Sequence, residues 1–471
     1  MSNNSFDANK EAQFGMLPVM KEERVYSLFD NSCINIGFAI ATWCFLIGGT
    51  VSLFVDFWPA VIATLAGNMA AVLLMAMGTS VPSAKYGADN YTISSSYMGN
   101  RGKAIVMVFM FVFQVAWLII LSIMFGRAVD NVVSTAVKTD TMGPGFVGVM
   151  SIVSVAIVFL VVWRGPLVIR KFNIIVAPLL IITIIALLII LSKDVGWDVI
   201  VNAPPIAPFD SEWVNFLLAF ELSLGAGLSW WPNMGGMARL CKTTRAAYWA
   251  NLAGLILAAS LGTAVGCAAA VTIGSSDPTE WMIPLGGVVL GVLALVFVAI
   301  ANITSNAIVT YGICLGLKNF KFFRNKKWPV VIAIFCLPGI IGLILWPSQI
   351  YDNFYIMLGV TCTFYCPMVA INCVDYFLLR KQRLDVVGLY DNTKTSKYSF
   401  WKGFNWVAIV SFAAGMPFYL LFLNPATLVY QEPFKYLTAS GASVIFVAIL
   451  YFILAKLILV RNNIGGYSTK A

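Results

Sequence analysis

The chain has 471 residues, of which 60% are hydrophobic and 11% are charged. An ordinary soluble protein carries about 25% charged and about 45–50% apolar residues, so this composition excludes a soluble globular protein and predicts a polytopic membrane protein. The absence of histidine excludes a Ser-His-Asp triad and a His-based metal site. The net charge of +9 is typical of Lys and Arg collected on the cytoplasmic side of a membrane protein, so we expect no nucleic-acid partner.

Apolar runs long enough to cross a bilayer, about 20 residues each, repeat along the chain. Residues 1–29 are polar and lack the apolar stretch of a signal peptide, so we expect a cytoplasmic amino-terminal tail. Twelve apolar runs follow, at 30–55, 57–81, 104–128, 144–163, 170–192, 213–236, 247–273, 283–311, 329–347, 353–378, 404–423 and 436–460. The pattern predicts an all-α polytopic membrane protein with twelve transmembrane helices and no separate soluble domain.

The distribution of positive charge gives an orientation. With the amino terminus inside, 26 of the 30 Lys and Arg residues fall in the two tails and the even-numbered loops. The outer loops hold only the other four, which are Arg127, Lys138, Lys193 and Lys435. Because positive residues concentrate on the cytoplasmic side, we expect a multi-pass protein of the plasma (inner) membrane with both termini in the cytoplasm.

Spans one and six contain glycine and proline at a density that a continuous helix does not need. Span one contains the sequence GFAIATW from Gly37 to Trp43 and then Gly48-Gly49, and span six contains the sequence GAGLSWWPN from Gly225 to Asn233. Such composition favours interrupted helices, whose freed backbone groups an ion or substrate can satisfy. Interruptions at corresponding places in two five-helix halves are typical of inverted-repeat secondary transporters. Close helix packing is the alternative explanation, and for span one the residues leave it open.

Polar side chains within span eight predict a candidate cation site. They are Asn302, Thr304, Ser305, Asn306 and Thr310. Neutral hydroxyl and carbonyl oxygens suit a small hard cation such as Na⁺. The alternative is structural, because hydroxyls bond their own helix and Asn joins neighbouring helices.

Span three pairs Gln114 with Trp117, one turn later. This pair suits stacking on a flat heterocycle and hydrogen bonding to its edge, although Trp in a membrane helix more often serves packing. Two acids also lie within spans, where an acid is a functional candidate. Glu221 could bind a substrate amine, carry a proton or hold a structural bond, whereas Asp375 is expected to pair with Arg380 or a neighbour at a helix end.

These segments together resemble the nucleobase–cation symporter-1 family, whose members are cytosine, purine, uracil, thiamine, hydantoin and allantoin permeases. The most specific similarity runs from Pro367 to Leu378, where an Asp-Tyr pair closes span ten. Leu389-Tyr390, the segment from Lys402 to Trp406, Arg239, and Gly165 with Pro178 also fit the family pattern.

The resemblance implies a five-plus-five inverted repeat, the sodium/amino-acid symporter-like fold, with broken helices one and six. Its expected parts are the tail 1–29, a first repeat at 30–192, a second repeat at 213–378, two additional helices at 404–460 and a cytoplasmic tail at 461–471. By the same resemblance a sodium site falls on the carbonyls of Ala39, Thr42 and Ala301 and on the hydroxyls of Thr304 and Ser305.

The implied substrate site is less complete than the implied sodium site. The stacking Trp of span three falls on Trp117, but the second stacking aromatic, in span six, falls on Gly227, with Trp230 about one turn further along. Two polar positions used by some members fall on Leu121 and Thr310. The further candidates for the pocket are Trp43, Gln114, Ser229, Asn306 and Glu221.

We therefore expect a non-enzymatic secondary active transporter that imports a small planar N-heterocycle by cation symport, with Na⁺ as the expected coupling ion and no cofactor. A proton-coupled symporter that uses Glu221 is the first alternative, and a membrane receptor that does not transport is the second. Partners are the substrate, the cation and the lipid bilayer. Neither the identity of the substrate nor the oligomeric state can be deduced from the sequence.

Overall fold

The computed structural model describes residues 13–275 and 277–467. Residues 1–12 of the expected amino-terminal tail and 468–471 of the expected carboxy-terminal tail lie outside the described part.

All regular secondary structure among the described residues is helical. The α-helices are α1 (Leu28–Ala39), α2 (Thr42–Val51), α3 (Phe57–Gly78), α4 (Ser80–Tyr86), α5 (Asn90–Ile93), α6 (Ser95–Met98), α7 (Lys103–Val137), α8 (Pro144–Trp163), α9 (Pro166–Leu191), α10 (Trp197–Asn202), α11 (Glu212–Leu228), α12 (Trp231–Ala238), α13 (Thr244–Asn251), α14 (Ala259–Ile273), α15 (Pro278–Lys318), α16 (Lys321–Arg324), α17 (Trp328–Leu345), α18 (Pro347–Asp352), α19 (Phe354–Cys373), α20 (Val386–Tyr390), α21 (Trp406–Leu420) and α22 (Ala439–Leu454). Short π-helical segments are Ser192–Gly196, Leu252–Ala258, Val374–Leu379 and Ala455–Val460, and 3-10 turns are Lys21–Glu23 and Glu432–Lys435.

Each of the twelve predicted apolar runs overlaps one or more of these helices. Within the described ranges, nine helical stretches are long and apolar enough to cross a membrane, and the bent pair α1–α2 makes ten if it is one span. The other two runs have shorter helices. One coincides with α21, of 15 residues, and the other is divided between α11 and α12, of 17 and 8 residues.

The first apolar run is divided by a bend of 58° between α1 and α2. Ser27 starts α1, because its hydroxyl accepts the backbone N–H of Asp30 while the Asp30 carboxylate accepts the N–H of Ser27. Ile40 and Ala41 are then extended, with φ/ψ of −93°/92° and −142°/−180°. The bend therefore leaves carbonyl groups at the end of α1 without partners in their own helix.

The division in the sixth run is milder. Ser229 and Trp230 separate α11 from α12 but keep right-handed helical angles, with φ/ψ of −62°/−16° and −80°/−10°. Pro232 is the second residue of α12, and it cannot donate a backbone hydrogen bond to the preceding turn. The helix axis is interrupted here by a tight turn rather than by an extended segment.

Glycines of α2 and α14 allow these two helices to touch through their backbones. A Cβ on Gly48 of α2 would lie 2.1 Å from the Thr263 carbonyl oxygen, and one on Gly266 of α14 would lie 2.2 Å from the Phe45 carbonyl oxygen. Helix packing therefore explains these glycines, whereas the bend at Ile40 and Ala41 needs no glycine.

We expect Gly48→Ala to lower the thermal unfolding midpoint of the detergent-purified protein. The added methyl group would meet only backbone atoms, which cannot move aside as a side chain can, and overpacking of this kind costs about 1–3 kcal/mol. Gly145→Ala is the control, because a Cβ there meets nothing within 4 Å. Equal midpoints for the two variants would contradict the contact between α2 and α14.

Candidate functional site

Half of the residues that line a small cavity between the helices are aromatic. Its lining residues are Phe38, Trp43, Trp117, Leu121, Ser229, Trp230, Asn233 and Val309. They come from α1, α2, α7, the α11–α12 turn, α12 and α15. The structure therefore brings together five of the predicted pocket residues: Trp43, Trp117, Leu121, Ser229 and Trp230.

Trp43 is the centre of the aromatic cluster. Its ring lies 6.1 Å from that of Trp117 and 5.4 Å from that of Trp230, both edge to face, and Phe38 lies 6.2 Å from Trp230. The cavity volume open to the centre of a water molecule is about 10 Å³, which is the space of about one water. A planar ligand can enter only if the rings part, and each ring then offers a face for stacking.

Unsatisfied polar atoms lie beside this cluster. The Gln114 side-chain amide donates to the Asn233 side-chain oxygen, and the Asn306 amide donates to the Ser122 hydroxyl at 3.1 Å. The oxygens of Gln114, Asn306 and Thr310 are buried and have no hydrogen-bond partner among the described residues. Gln114, Asn306 and Thr310 do not line the closed cavity. Because buried polar atoms are rarely unpaired, their three oxygens are candidate acceptors for N–H groups of a ligand once the rings part.

Three residues of the cavity wall are absent from the sequence prediction. Phe38 and Asn233 lie within the glycine-rich segments of spans one and six, so the composition of those segments could have indicated both. Val309 has no distinguishing signal, since a valine in an apolar helix is ordinary.

Neutral oxygens from α1 and α15 converge beside the cavity. The Thr304 hydroxyl lies 2.7 Å from the Gly37 carbonyl oxygen and 2.8 Å from that of Ala301. The Ser305 hydroxyl lies 2.9 Å from the Phe38 carbonyl oxygen. The two hydroxyls thus satisfy carbonyl groups that the bend leaves free. Five uncharged oxygens at these distances suit a small hard cation, because a hydroxyl can rotate its lone pair toward an ion.

The expected carbonyl ligands differ in part from this arrangement. Ala301, Thr304 and Ser305 lie in the oxygen cluster, and the α1 carbonyls bonded to the hydroxyls are those of Gly37 and Phe38. Ala39 is the last residue of α1 and is fully buried.

Thr42 is held by Asn302 across the bend. The Asn302 side chain accepts the Thr42 backbone N–H at 3.2 Å and donates to its hydroxyl at 2.8 Å. Asn302, one of the polar residues of span eight, therefore fixes the start of α2 against α15.

Glu221 lies outside the aromatic cavity. It is buried, and its carboxylate accepts the Tyr419 hydroxyl at 3.0 Å, the Ser440 backbone N–H at 3.0 Å and the Ser440 hydroxyl at 2.5 Å. Ser440 is the second residue of α22. A carboxylate at a helix start is stabilised by the free N–H groups and the helix dipole. The arrangement is that of a structural bond between α11, α21 and α22.

Gly227 packs against α3 and does not line the cavity. A Cβ on this glycine would lie 2.6 Å from the Ala71 Cβ, so an aromatic side chain does not fit there without movement of α3. Trp230, three residues later, lines the cavity instead.

The expected pairing of Asp375 is confirmed. The Arg380 Nε lies 2.7 Å from its carboxylate, and Tyr451 donates to it at 3.0 Å. This buried pair joins the end of the π-helical segment after α19 to α22.

A sequence profile described as "Permease for cytosine/purines, uracil, thiamine, allantoin" matches residues 18–447. The chain is 25% identical over 427 residues to a purine-uracil permease of Arabidopsis thaliana, which covers 85% of this chain and 69% of the permease. It is 24% identical over 439 residues to a hydantoin permease of Microbacterium maritypicum, and the match covers 87% of this chain and 83% of that permease.

Solved structures show the same fold. The nucleobase-cation-symport-1 family transporter Mhp1, in a closed conformation with bromovinylhydantoin bound, aligns with a TM-score of 0.79 at 19% identity and covers 97% of both chains. A Na⁺-coupled sialic acid symporter in an outward-open state aligns with a TM-score of 0.62 at 13% identity, covering 95% of this chain and 92% of that chain.

We expect Glu221→Gln and Ser440→Ala each to lower the thermal midpoint, because each removes part of a charged hydrogen-bond set worth about 1.5–3 kcal/mol per bond. The double variant should lose less than the sum of the single losses, since both changes break the same interaction. Glu212→Gln, at the exposed start of α11, is the control. An unchanged midpoint in Glu221→Gln would contradict the structural bond.

Proposed function

The chain belongs to the family of permeases for cytosine/purines, uracil, thiamine and allantoin, and from this premise we propose that it imports a small planar nitrogen heterocycle coupled to a cation. The family consists of multi-pass membrane permeases, and the many apolar helices agree with it. The observation that carries the proposal is the position of Phe38. Its carbonyl belongs to the oxygen cluster, while its ring lines the aromatic cavity.

The proposed architecture is a pair of inverted five-helix repeats, 30–192 and 213–378, followed by two further helices within 404–460. Twelve spans require that α1–α2, α11–α12 and α21 each cross the membrane together with their flanking residues. The bend of 58° between α1 and α2 supports a broken first span, and the turn at Ser229 and Trp230 supports a divided sixth span. The charge distribution supports both termini in the cytoplasm of a plasma-membrane protein.

The proposed substrate binds in the aromatic cavity after the rings of Trp43, Trp117 and Trp230 part. Its plane stacks on Trp117 or Trp230, and its N–H groups donate to the unpaired oxygens of Gln114, Asn306 or Thr310. A saturated or strongly charged substrate gains little binding energy from the aromatic wall of the cavity. The relatives are a purine-uracil permease and a hydantoin permease, and both kinds of substrate are planar N-heterocycles.

The proposed coupling ion is Na⁺, held by the carbonyls of α1 and by Ala301, Thr304 and Ser305 of α15. The ion replaces hydrogen bonds that already join the two helices, so it favours the conformation in which α1 and α15 stay together. An ion shifts a conformational equilibrium only by its differential affinity for the two states. Because Phe38 belongs to both sites, Na⁺ and substrate should each tighten the binding of the other by the same factor.

Proton coupling through Glu221 receives less support. The carboxylate is already bonded to Tyr419 and Ser440, away from the aromatic cavity. A proton-coupled protein would show uptake that rises with acidity, ignores Na⁺ and loses its pH dependence in Glu221→Gln. A receptor would show binding without accumulation against a gradient.

We expect Ser305→Ala to raise the Na⁺ concentration for half-maximal uptake by about tenfold or more, because it removes an oxygen from the proposed site. Uptake by proteoliposomes is measured with Na⁺ gradients and with choline replacing Na⁺. Ser411→Ala is the matched control, since its buried hydroxyl bonds only the Val407 carbonyl of its own helix. Equal Na⁺ dependence in both variants would contradict the assignment of the cation site.

A thermal-stability panel of nucleobases, hydantoins, allantoin and vitamin heterocycles, each with Na⁺ or choline, should identify the ligand, because binding raises apparent stability. We expect Trp117→Ala to weaken binding of the best ligand about tenfold or more, through loss of stacking and of buried area. Trp58→Ala removes a half-exposed Trp of α3 and is the control. Equal ligand binding in both variants would exclude Trp117 as a stacking residue.

A further inference from the structure

A polar pocket and an apolar groove lie side by side on the surface, at the end of the loop that precedes α21. The pocket, of about 450 Å³, is lined by Asn100, Arg101, Lys394, Phe400 and Lys402 among others. The groove, of about 530 Å³, is lined by Trp401, Trp406, Val407, Val410, Leu454 and Ile458. Phe400 and Lys402 line the pocket, and Trp401 between them lines the groove. The pocket and the groove therefore share a wall.

The pocket is built by contacts between the start of α7 and the loop before α21. The backbone N–H groups of Arg101 and Gly102 both donate to the Gly403 carbonyl oxygen at 2.9 Å, and the Asn405 N–H donates to Met98 at 2.8 Å. The Arg101 stem crosses Gly403 so closely that a Cβ there would lie 2.5 Å from it. Gly403 has φ +98°, a conformation that only glycine adopts without strain. Its carbonyl oxygen accepts the Arg101 backbone N–H and so holds Arg101 in place.

The positive charges of the pocket are not neutralised within the described chain. Arg101, Lys394 and Lys402 are exposed, and none forms an ion pair or side-chain hydrogen bond with another described residue. The nearest acid along the chain, Asp391, accepts the Thr393 backbone N–H at 2.8 Å. The three cations therefore favour an anion.

Asn100 supports one wall of the pocket. Its amide nitrogen donates to the Thr393 carbonyl at 3.0 Å, and its side-chain oxygen is buried, with no partner among the described residues. Because that oxygen is shielded from solvent, it does not face the open pocket, and the pocket offers three cations for a phosphate.

The groove is apolar and lies on the outer face of α21 and α22. Trp406 and Val410 are 53% and 54% exposed, and no charged side chain lines the groove. In a membrane protein such a surface faces acyl chains, and tryptophans near a helix end are typical of the level of the lipid headgroups. The basic pocket then lies at the membrane surface beside the groove.

We propose that the pocket and groove together bind one anionic phospholipid. The phosphate contacts Arg101, Lys394 and Lys402, and an acyl chain lies along Val410 and Ile458. Basic pockets beside transmembrane helices are known to bind anionic headgroups. A zwitterionic lipid fits the groove equally well but satisfies the three cations less well. A small soluble anion fits the pocket but leaves the groove unused.

The test is a titration of the detergent-purified full chain, followed by native mass spectrometry. The probes are palmitoyl-oleoyl phosphatidylglycerol, phosphatidylcholine with the same chains, and sn-glycerol 3-phosphate as the headgroup fragment. We expect phosphatidylglycerol to bind at a concentration at least about tenfold lower than either other probe, since each cation near a lipid surface adds about a fivefold preference.

Two variants and one control separate the contribution of the lipid headgroup from that of the acyl chain. Arg101→Gln/Lys394→Gln/Lys402→Gln should abolish the preference for phosphatidylglycerol over phosphatidylcholine. Arg324→Gln/Lys321→Gln/Lys327→Gln removes three positive charges from the exposed segment between α15 and α17, which includes α16, and should keep the preference. Val410→Trp fills the groove and should weaken phosphatidylglycerol binding while leaving glycerol phosphate binding unchanged.

Three outcomes would overturn the proposal. The first is no preference for phosphatidylglycerol in the unmodified chain. The second is equal loss in both triple variants, which would indicate general charge attraction. The third is glycerol phosphate binding as tight as that of phosphatidylglycerol, which would indicate a site for a soluble anion. None of these readouts depends on transport, so they are independent of the proposed substrate and coupling ion.

Discussion

The hydrogen bonds between the end of α1 and the hydroxyls of α15 are the contacts on which the candidate site depends. A helix that ends inside the apolar core leaves carbonyl groups that no water can reach, and each unsatisfied group costs free energy. Thr304 and Ser305 satisfy the carbonyls of Gly37 and Phe38. They also fix where the next helix begins, because Asn302, from the same segment of α15, holds Thr42.

The aromatic cavity follows from this bend. Ile40 and Ala41 turn the chain so that Phe38 and Trp43, on either side of them, both face the same cavity, where they meet Trp117 and Trp230. In a continuous α-helix, residues five positions apart would lie about 140° apart around the axis. The bend thus places an aromatic pair and a set of free carbonyls within a few residues of each other.

Buried charged groups elsewhere stabilise the last two helices. Glu221 joins α11 to the start of α22, and Asp375 with Arg380 joins the end of the α19 segment to Tyr451 of α22. Each carboxylate accepts several hydrogen bonds, which is the condition under which a buried charge is tolerated. The two acids that the sequence marks as functional candidates therefore serve the packing of α22 in this structure.

Composition and periodicity were sufficient to predict an all-helical membrane protein, the positions of the apolar helices, and the segments of spans one, three, six and eight from which the site is built. These features depend on local composition and bilayer thickness, which a single segment carries. The polar cluster of span eight and the Gln114–Trp117 pair already marked Trp117, Thr304 and Ser305, and the family resemblance assigned roles to them. Only the tertiary structure distinguished Trp230, which lines the cavity, from Gly227, which packs on α3. It alone showed that Gly37 and Phe38 are the carbonyls beside the hydroxyls, and that Phe38, Asn233 and Val309 complete the wall. Those assignments depend on how helices distant in sequence rotate and approach one another, and no local pattern records such contacts.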